Sequence, residues 1–190
     1  MAYQFDFSPV LAQGGLLLEG AVFTLELTLI GTLFGVAIGV LGAVVRAWRL
    51  RPFDALFGLY VELIRNTPFI VQLFFIFFGL PSLGVRLTEW QAAVLAMVIN
   101  LGAYSTEIIR AGIQAIPRGQ LEAAAALAMS RFEAFRHVVL QPALAKVWPA
   151  LSSQIVIVML GSAVCSQIAT EELSFAANFI QSRNFRAFET

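Results

Sequence analysis

The sequence predicts an all-α, polytopic membrane protein. Of its 190 residues, 59% are hydrophobic and 13% are charged, and the mean hydropathy is +0.82. About a quarter of the residues in an ordinary soluble domain are charged. Leu27 to Val45 and Val147 to Thr170 carry no charge, and each is long enough for a helix to cross a hydrocarbon core of about 30 Å. We expect a single transmembrane domain over residues 1-190, with spans at about 20-45, 55-80, 90-112 and 146-169.

The first span has three glycines at regular spacing. Gly31, Gly35 and Gly39 recur every four residues, which places them on one face of a helix. Small residues let two helix backbones approach closely in a membrane, although glycine is common in membrane helices in any case. We favour the first interpretation, in which the glycines form a packing face.

Basic residues predict which side of the membrane each end of a span occupies, because cytoplasmic loops are enriched in lysine and arginine. The first span is followed directly by Arg46, Arg49 and Arg51. The segment 117-142, between the third and fourth spans, also has more basic than acidic residues. We therefore expect both segments in the cytoplasm and the N-terminus outside.

The second span needs two segments to cross the membrane. The apolar run from Phe69 to Leu80 would form only about 18 Å of helix, so part of Phe53 to Thr67 must contribute. Pro68 lacks an amide hydrogen and clashes with the preceding turn, which predicts a kink or break at Arg65 to Pro68. Broken backbone at membrane depth lines a wet cavity or is buried in protein. The break is either a wall of a translocation path or a plain bend near the surface.

The third span carries polar residues on one face. Asn100, Tyr104 and Glu107 have the spacing i, i+4, i+7. A carboxylate in or near the membrane is costly unless it is paired. Glu107 therefore either contacts the amino or guanidinium group of a substrate or pairs structurally with Arg110 or Arg65.

The fourth span carries Ser162, Ser166 and Gln167 in its outer half. Such side chains either line a cavity or, more commonly, bond to the preceding turn or to a neighbouring helix. The segment 170-190 follows as an external, mildly amphipathic stretch without a further span. Either the sequence is truncated after this stretch or the chain is a shortened form, and we favour truncation.

The segment 117-142 is predicted to form a water-exposed helical hairpin between the third and fourth spans. Its run from Glu122 to Ala126 favours helix, because alanine and glutamate lose little side-chain freedom there. We expect a short helix that opens just after Pro117 and a second helix near Arg131.

Three stretches resemble the permeases of ATP-binding cassette (ABC) importers. GQLEAAAALA at Gly119 to Ala128, followed by VVLQP from Val138, resembles their cytoplasmic EAA loop. RNTPFIVQLFFIFFGLP at 65-81 and AYSTEIIRAGIQAIPRGQ at 103-120 resemble the branch that takes up polar amino acids. The similarity covers about residues 20-190 in the same order. It implies a type I importer transmembrane domain with four spans present and the family's fifth span missing.

The resemblance implies a permease subunit of an ATP-driven importer for polar amino acids in the bacterial inner membrane. In the family the short helix docks into a cleft of the ATPase, so a helix near Leu121 to Met129 would act as a rigid peg, with Ala123, Ala124 and Leu127 as a small apolar face. The residues expected to contact the ATPase are Gly119, Gln120, Glu122, Ala123, Ala124, Leu127 and Ala128. The other partners implied are a second permease subunit, identical or homologous, an extracytoplasmic solute-binding protein, and membrane lipid.

The substrate cavity of these permeases lies between the spans, which draws attention to the polar residues at the break and in the third and fourth spans. The substrate-path candidates are Arg65, Thr67, Gln72, Asn100, Tyr104, Glu107, Ser162 and Gln167.

Two positions depart from the family pattern. Ala128 stands where the family has a glycine, which permits a left-handed turn that alanine resists. We therefore expect a longer or less sharply bent peg and weaker coupling. Gln141-Pro142 reverses the commoner order of these two residues, so we expect the helix break to shift by one residue.

The sequence argues against several other functions. It has no GxxxxGK followed by Ser or Thr, so we expect ATP hydrolysis in a separate chain and no enzyme activity here. One histidine and one cysteine cannot form a zinc site of the usual spacing, and we expect no metal or cofactor. The formal net charge of zero argues against a nucleic-acid partner. The remaining rivals are a stand-alone channel or ion-coupled carrier, and a scaffold subunit.

Overall fold

A computed structural model describes residues 5–190, and these residues form helices and connecting turns. The α-helices are α1 (Ser8–Leu11), α2 (Gly14–Ala47), α3 (Phe53–Arg65), α4 (Phe69–Phe74), α5 (Glu89–Gln114), α6 (Arg118–Ala126), α7 (Arg131–Glu133), α8 (Gln141–Gly161) and α9 (Leu173–Asn184). Two π-helical segments, Phe75–Gly79 and Ala134–Leu140, and two 3₁₀ segments, Leu80–Leu83 and Ser162–Ile168, extend them.

Within the part of the chain that the structure describes, three helical stretches are long and apolar enough to cross a membrane: α2, α5 and the continuous stretch Arg131–Ile168. Phe53–Arg65 and Phe69–Leu83 reach the required length and hydropathy only as a pair, which gives up to four spans. The expected ranges 20-45 and 90-112 lie within α2 and α5. The helical structure of the fourth begins at Arg131, well before the expected residue 146.

The predicted break at Pro68 is confirmed. Helix α3 ends at Arg65 and α4 begins at Phe69. Asn66 Nδ2 donates to the Glu62 carbonyl at 2.8 Å, and Thr67 Oγ1 donates to the Leu63 carbonyl at 2.7 Å. The Thr67 bond replaces the amide that the Leu63 carbonyl has lost, whereas the Glu62 carbonyl also accepts from the Asn66 amide at 3.1 Å.

The expected break beside Pro142 is wrong. The helix runs without interruption from Arg131 through the π segment Ala134–Leu140 into α8, and Pro142 is the second residue of α8. A proline ring clashes with the carbonyl four residues before it in a regular α-helix, and the wider π turn relieves this clash. The other π segment, Phe75–Gly79, likewise ends two residues before a proline, Pro81.

The chain divides into two compact units, and the first unit comprises Met1–Gly31, Phe69–Met97 and Val158–Thr190. In this unit α2 packs closely on α9, because a Cβ on Gly20 would lie 3.0 Å from the Cα of Leu173. The Leu173 amide also donates to Thr24 Oγ1 at 3.2 Å. The largest fully buried apolar side chains of this unit are Leu27, Leu73, Met97, Ile180 and Cys165.

The second unit comprises Thr32–Pro68 and Val98–Ile157, and it confirms the predicted glycine face of α2. A Cβ on Gly35 would lie 2.9 Å from the Cβ of Leu101, and one on Gly39 would lie 2.4 Å from the Cβ of Ser105. Side chains on α5 therefore fill the space that these glycines leave open.

The core of the second unit joins three helices. Ala43 of α2, Ile109 of α5 and Val147 of α8 form a buried cluster. Gly112 brings α5 and α8 together, because a Cβ there would lie 2.5 Å from Cγ1 of Val147. Helix α3 is attached to α5 by the Tyr60 hydroxyl, which donates to the Ile99 carbonyl at 2.6 Å.

Candidate functional sites in the hairpin and a polar cavity

Both helices of the hairpin begin where the sequence predicts. Helix α6 starts at Arg118, directly after Pro117, and α7 starts at Arg131. The second start is fixed by a capping box: Ser130 Oγ accepts from the Glu133 amide at 3.3 Å, and Glu133 Oε2 accepts from the Ser130 amide at 2.8 Å. The chain between the two helices is therefore held by specific bonds.

The expectation of a longer peg is wrong, because α6 ends at Ala126. Ala128 adopts a φ of 54°, the left-handed conformation expected of a glycine. The Ala128 amide donates to the Ala125 carbonyl at 3.0 Å, and the Met129 amide donates to the Ala124 carbonyl at 3.1 Å. These two bonds form a Schellman motif, which alanine completes at a cost of roughly 1 kcal/mol relative to glycine.

Most residues expected to contact an ATPase lie on the surface of the hairpin. Those exposed are Gly119, Gln120, Glu122, Ala123, Leu127 and Ala128. Leu127 is 77% exposed, which is unusual for so large an apolar side chain at a helix end. Ala124 is only 2% exposed, so the predicted apolar face loses this member. Ala124 therefore lies on the side of α6 that packs against the rest of the chain.

The inner side of α6 lies on the connection between α2 and α3. Leu121 and Met129 line a cavity of about 350 Å³ together with Trp48 and Leu50. The Trp48 ring packs edge-on against Phe135, with 5.1 Å between the ring centroids. Leu121 and Met129 therefore face this connection across the cavity, and the direct ring contact with it comes from Phe135 in the π segment that follows α7.

A second cavity, the polar cavity, has a volume of about 430 Å³ and contains charged residues of both signs. Its lining includes three of the substrate-path candidates, Arg65, Tyr104 and Glu107. The Arg65 guanidinium lies 5.4 Å from the centre of the Tyr104 ring, within the range of a cation–π interaction. Glu62 also lines this cavity, and no sequence pattern marked it as a candidate.

Glu107 is paired from two sides. Arg46 Nη1 donates to Glu107 Oε2 at 2.5 Å, and Arg110 Nε donates to Glu107 Oε1 at 2.5 Å. We call these three residues the ion clamp. The pairing with Arg110 is one of the predicted alternatives, whereas Arg46 was predicted only as a marker of the cytoplasmic end. Because both carboxylate oxygens have a guanidinium partner, the geometry favours a structural role for Glu107.

The other substrate-path candidates lie in different surroundings. Gln72 and Asn100 are buried, whereas Gln167 is exposed. Ser162 Oγ donates to the Met159 carbonyl at 2.7 Å, and Ser166 Oγ donates to the Ala163 carbonyl at 2.7 Å. The more common use of these serines, bonding to the preceding turn, is thereby confirmed. The first unit contains Gln72, Ser162 and Gln167, and the second contains Arg65, Thr67, Asn100, Tyr104 and Glu107.

Comparison with known proteins decides the family. Residues 31–188 match the family described as "Binding-protein-dependent transport system inner membrane component". The chain belongs to this family of permeases. It is 36% identical over 181 residues to the L-cystine transport system permease protein TcyB of Bacillus subtilis (strain 168), covering 95% of this chain and 75% of TcyB.

Two further similarities extend over almost the whole permease. The glutamine transport system permease protein GlnP of Escherichia coli (strain K12) is 36% identical over 188 residues, covering 98% of this chain and 86% of GlnP. A crystal structure of an amino acid ABC transporter with histidines matches with a TM-score of 0.88 at 36% identity, covering 98% of this chain and 87% of that one. The fold is that of an ABC importer transmembrane domain.

Family membership establishes a multi-pass protein of the inner membrane that is a transport subunit. It implies a binding protein and an ATPase as partners of the family. Within residues 5–190, no group of three or more His, Cys, Asp or Glu side chains is placed to hold a metal ion.

Proposed function

We propose that this permease is the membrane-spanning subunit of an ATP-driven importer for polar amino acids. The observation that carries the proposal is the hairpin. Its first helix, α6, has nine residues, ends at Ala126 and exposes its outer side. Its relatives TcyB and GlnP are named for the transport of amino acids, which supports the substrate class.

The hairpin transmits force from a separate ATPase subunit. The ATPase contacts the exposed residues of α6, among them Glu122, which presents a negative charge on the hairpin surface. Movement passes through the Ser130 capping box into the helix that begins at Arg131. It also passes through Leu121 and Met129 to the connection between α2 and α3. ATP-driven closure thereby alternates the access of the solute site.

The assembly contains a second permease subunit, two ATPase subunits and an extracytoplasmic solute-binding protein. The N-terminus lies outside, and the hairpin lies in the cytoplasm. The basic residues that follow α2 and those of the hairpin support this orientation, because cytoplasmic loops are enriched in lysine and arginine.

The polar cavity forms part of the solute path. Arg65 offers a guanidinium for the carboxylate of an amino acid, and Glu62 offers a carboxylate for its ammonium group. Tyr104 orients Arg65 through its ring. Glu107 acts as a positioning residue, since it holds Arg46 at the edge of the same cavity. Gln72, Asn100, Thr67, Ser162 and Gln167 remain candidates for other parts of the path.

A charge reversal on the hairpin tests the coupling role. We expect Glu122→Lys to lower ATP-dependent amino-acid uptake at least about tenfold, because a misplaced charge at an interface costs several kcal/mol. Membrane insertion should be normal, since Glu122 is exposed. Uptake is measured in vesicles that contain the complete importer, and insertion is measured by membrane fractionation.

The matched control is Asp6→Lys, which makes the same charge change outside the hairpin and should retain uptake. Unchanged uptake in Glu122→Lys would contradict the coupling role. Labelling of a cysteine at Arg118 from the outer face alone would contradict the orientation.

A further inference from the structure

The cavity on the inner side of α6 belongs to the second unit and lies outside the proposed solute path. It has a volume of about 350 Å³, and its lining comes from α6, from the connection between α2 and α3, and from the π segment Ala134–Leu140. Sites for small molecules typically have volumes of about 300–1,000 Å³. We call it the hairpin cavity.

The wall of the hairpin cavity is mostly apolar, and part of it is exposed. Trp48, Leu50 and Leu121 are exposed by 42%, 43% and 44%, whereas Phe135 and Val139 of the same lining are buried. Large apolar side chains that cluster on a surface mark an interaction site, unlike single ones scattered over it. The hairpin cavity therefore offers an apolar surface that a molecule from outside the chain can reach.

The end of α2 places the hairpin cavity at the level of the lipid headgroups. The uncharged run of α2 ends at Val45, and the Leu50 amide donates to the Val45 carbonyl at 3.0 Å, which keeps Leu50 beside the last turn. The headgroup layer is roughly 5–8 Å thick on each side of the hydrocarbon core, and one helical turn is about 5 Å long. Trp48 agrees with this depth, because tryptophan is enriched at the membrane interface.

Three exposed arginines belong to the lining or flank it in the sequence. Arg131 lines the hairpin cavity, and Arg49 and Arg51 stand on either side of Leu50. Within residues 5–190, the guanidinium groups of these three arginines take part in no hydrogen bond or ion pair. The carboxylate of Glu133 is bonded to the Ser130 amide instead. An anionic group complements this charge, and arginine binds phosphate with paired hydrogen bonds.

The three observations together select one class of occupant. A free phosphate would use the arginines and leave the exposed apolar wall in water, and an uncharged lipid would use the wall alone. An anionic phospholipid uses both, and the depth of the hairpin cavity matches the position of its phosphate in a bilayer. Basic residues at this level of a membrane protein attract anionic lipids.

We propose that the hairpin cavity binds an anionic phospholipid, with the phosphate on Arg131 and the first part of an acyl chain against Trp48 and Leu121. The bound lipid contacts both α6 and the connection between α2 and α3, so it transmits movement of the hairpin to the first two spans. This coupling step rests on the proposed function, whereas the lipid site does not. In the proposed orientation the lipid belongs to the cytoplasmic leaflet.

The test compares phosphatidylglycerol with phosphatidylcholine, which has a phosphate but is neutral overall. Native mass spectrometry of the complete importer, titrated with either lipid carrying the same acyl chains, measures the affinities. We expect phosphatidylglycerol to bind at least about tenfold more tightly, because the choline group adds a cation beside the arginines. Arg131→Gln should reduce this preference to about twofold. Ala125→Leu, which fills the hairpin cavity, should weaken the binding of both lipids about tenfold.

The matched controls are Arg136→Gln and Ala126→Leu, the same chemical changes at exposed positions outside the lining. Both should change the affinity for phosphatidylglycerol less than about twofold. Equal affinities for the two lipids, or wild-type affinity in both Arg131→Gln and Ala125→Leu, would overturn the inference. Displacement of the lipid by an equal concentration of glycerol phosphate would also overturn it, because the apolar wall would then contribute nothing.

Uptake in vesicles of phosphatidylcholine, with and without phosphatidylglycerol, tests the coupling step. We expect ATP-dependent amino-acid uptake by the complete importer to fall about fivefold without phosphatidylglycerol. Arg131→Gln should have the lower uptake in both kinds of vesicle, and Arg136→Gln should respond to the lipid as the wild type does.

The same measurements separate this inference from the proposed function. Lipid binding that requires Arg131, together with uptake that does not respond to phosphatidylglycerol, would overturn the coupling step and leave the lipid site standing. The same binding with no ATP-dependent uptake of any amino acid would overturn the proposed function. ATP-dependent uptake without any preference for phosphatidylglycerol in binding would overturn the inference and leave the proposed function standing.

Discussion

The two units of this permease have opposite charges. The first contains seven acidic and three basic residues, a net charge of −4, and the second contains five acidic and nine basic residues, a net charge of +4. The formal net charge of zero for the whole chain is therefore the sum of two large and opposite unit charges.

The two units also use their carboxylates differently. In the second unit, Glu107 is held by Arg46 and Arg110, so its charge stabilises the fold. In the first unit, Glu19, Glu26 and Glu171 are exposed around a cavity. Charge that is balanced internally contributes to structure, whereas charge left without an internal partner is available to a ligand.

The largest expected loss of stability concerns the ion clamp, and it tests the difference between the carboxylates of the two units. We expect Glu107→Gln to lower the free energy of unfolding by about 3 kcal/mol, because the half-buried Arg110 would lose its counter-ion and Arg46 would keep only its longer ion pair with Asp54. Glu26→Gln, the same change in the first unit, should lower it by less than about 0.5 kcal/mol. Equilibrium unfolding in detergent micelles, followed by circular dichroism, measures both. Equal losses would show that the two carboxylates do not differ in role.

The second effect concerns the two ends of α2. We expect Gly39→Ala to cost about 2 kcal/mol, since the added Cβ would lie 2.4 Å from the Cβ of Ser105 and 3.0 Å from its carbonyl carbon. Gly15→Ala, where a Cβ meets nothing within 4 Å, should stabilise the helix by about 0.5 kcal/mol. Thermal unfolding midpoints of the two variants should move in opposite directions. A stabilising Gly39→Ala would contradict the close packing of α2 on α5 in the second unit.

The smallest effect concerns the end of the hairpin helix. We expect Ala128→Gly to stabilise the protein by about 1 kcal/mol, because glycine takes the left-handed conformation without steric cost. Ala126→Gly makes the same chemical change inside α6 and should destabilise by about 1 kcal/mol. Chemical unfolding of both variants checks this. A loss of stability in Ala128→Gly would contradict the strain at this position.

The sequence could predict features that depend on local backbone chemistry. The break at Pro68 follows from a missing amide hydrogen, and the helix start at Arg131 follows from turn-forming and helix-favouring residues around it. The glycine face of α2 follows from a spacing of four residues. Each of these is decided within a few residues of chain, so the pattern alone is sufficient.

The sequence could not predict features that depend on distant parts of the chain. Arg46 pairs with Glu107 from another helix, and nothing in the spacing of either helix indicates this. Ala128 takes the left-handed conformation although alanine disfavours it, and this turn leads the chain from α6 to the capping box at Ser130. A cavity between α2 and α9 is lined by both Glu26 and Glu171, which lie far apart in the sequence.

The π segment before Pro142 has a mechanical consequence. A proline in a regular helix creates a flexible point at which rotation of one half need not turn the other. Here the widened turn keeps the backbone helical on both sides of Pro142, so the helix that begins at Arg131 continues through this proline. A displacement of its hairpin end is therefore transmitted along continuous helical backbone as far as Pro149, the next proline inside α8.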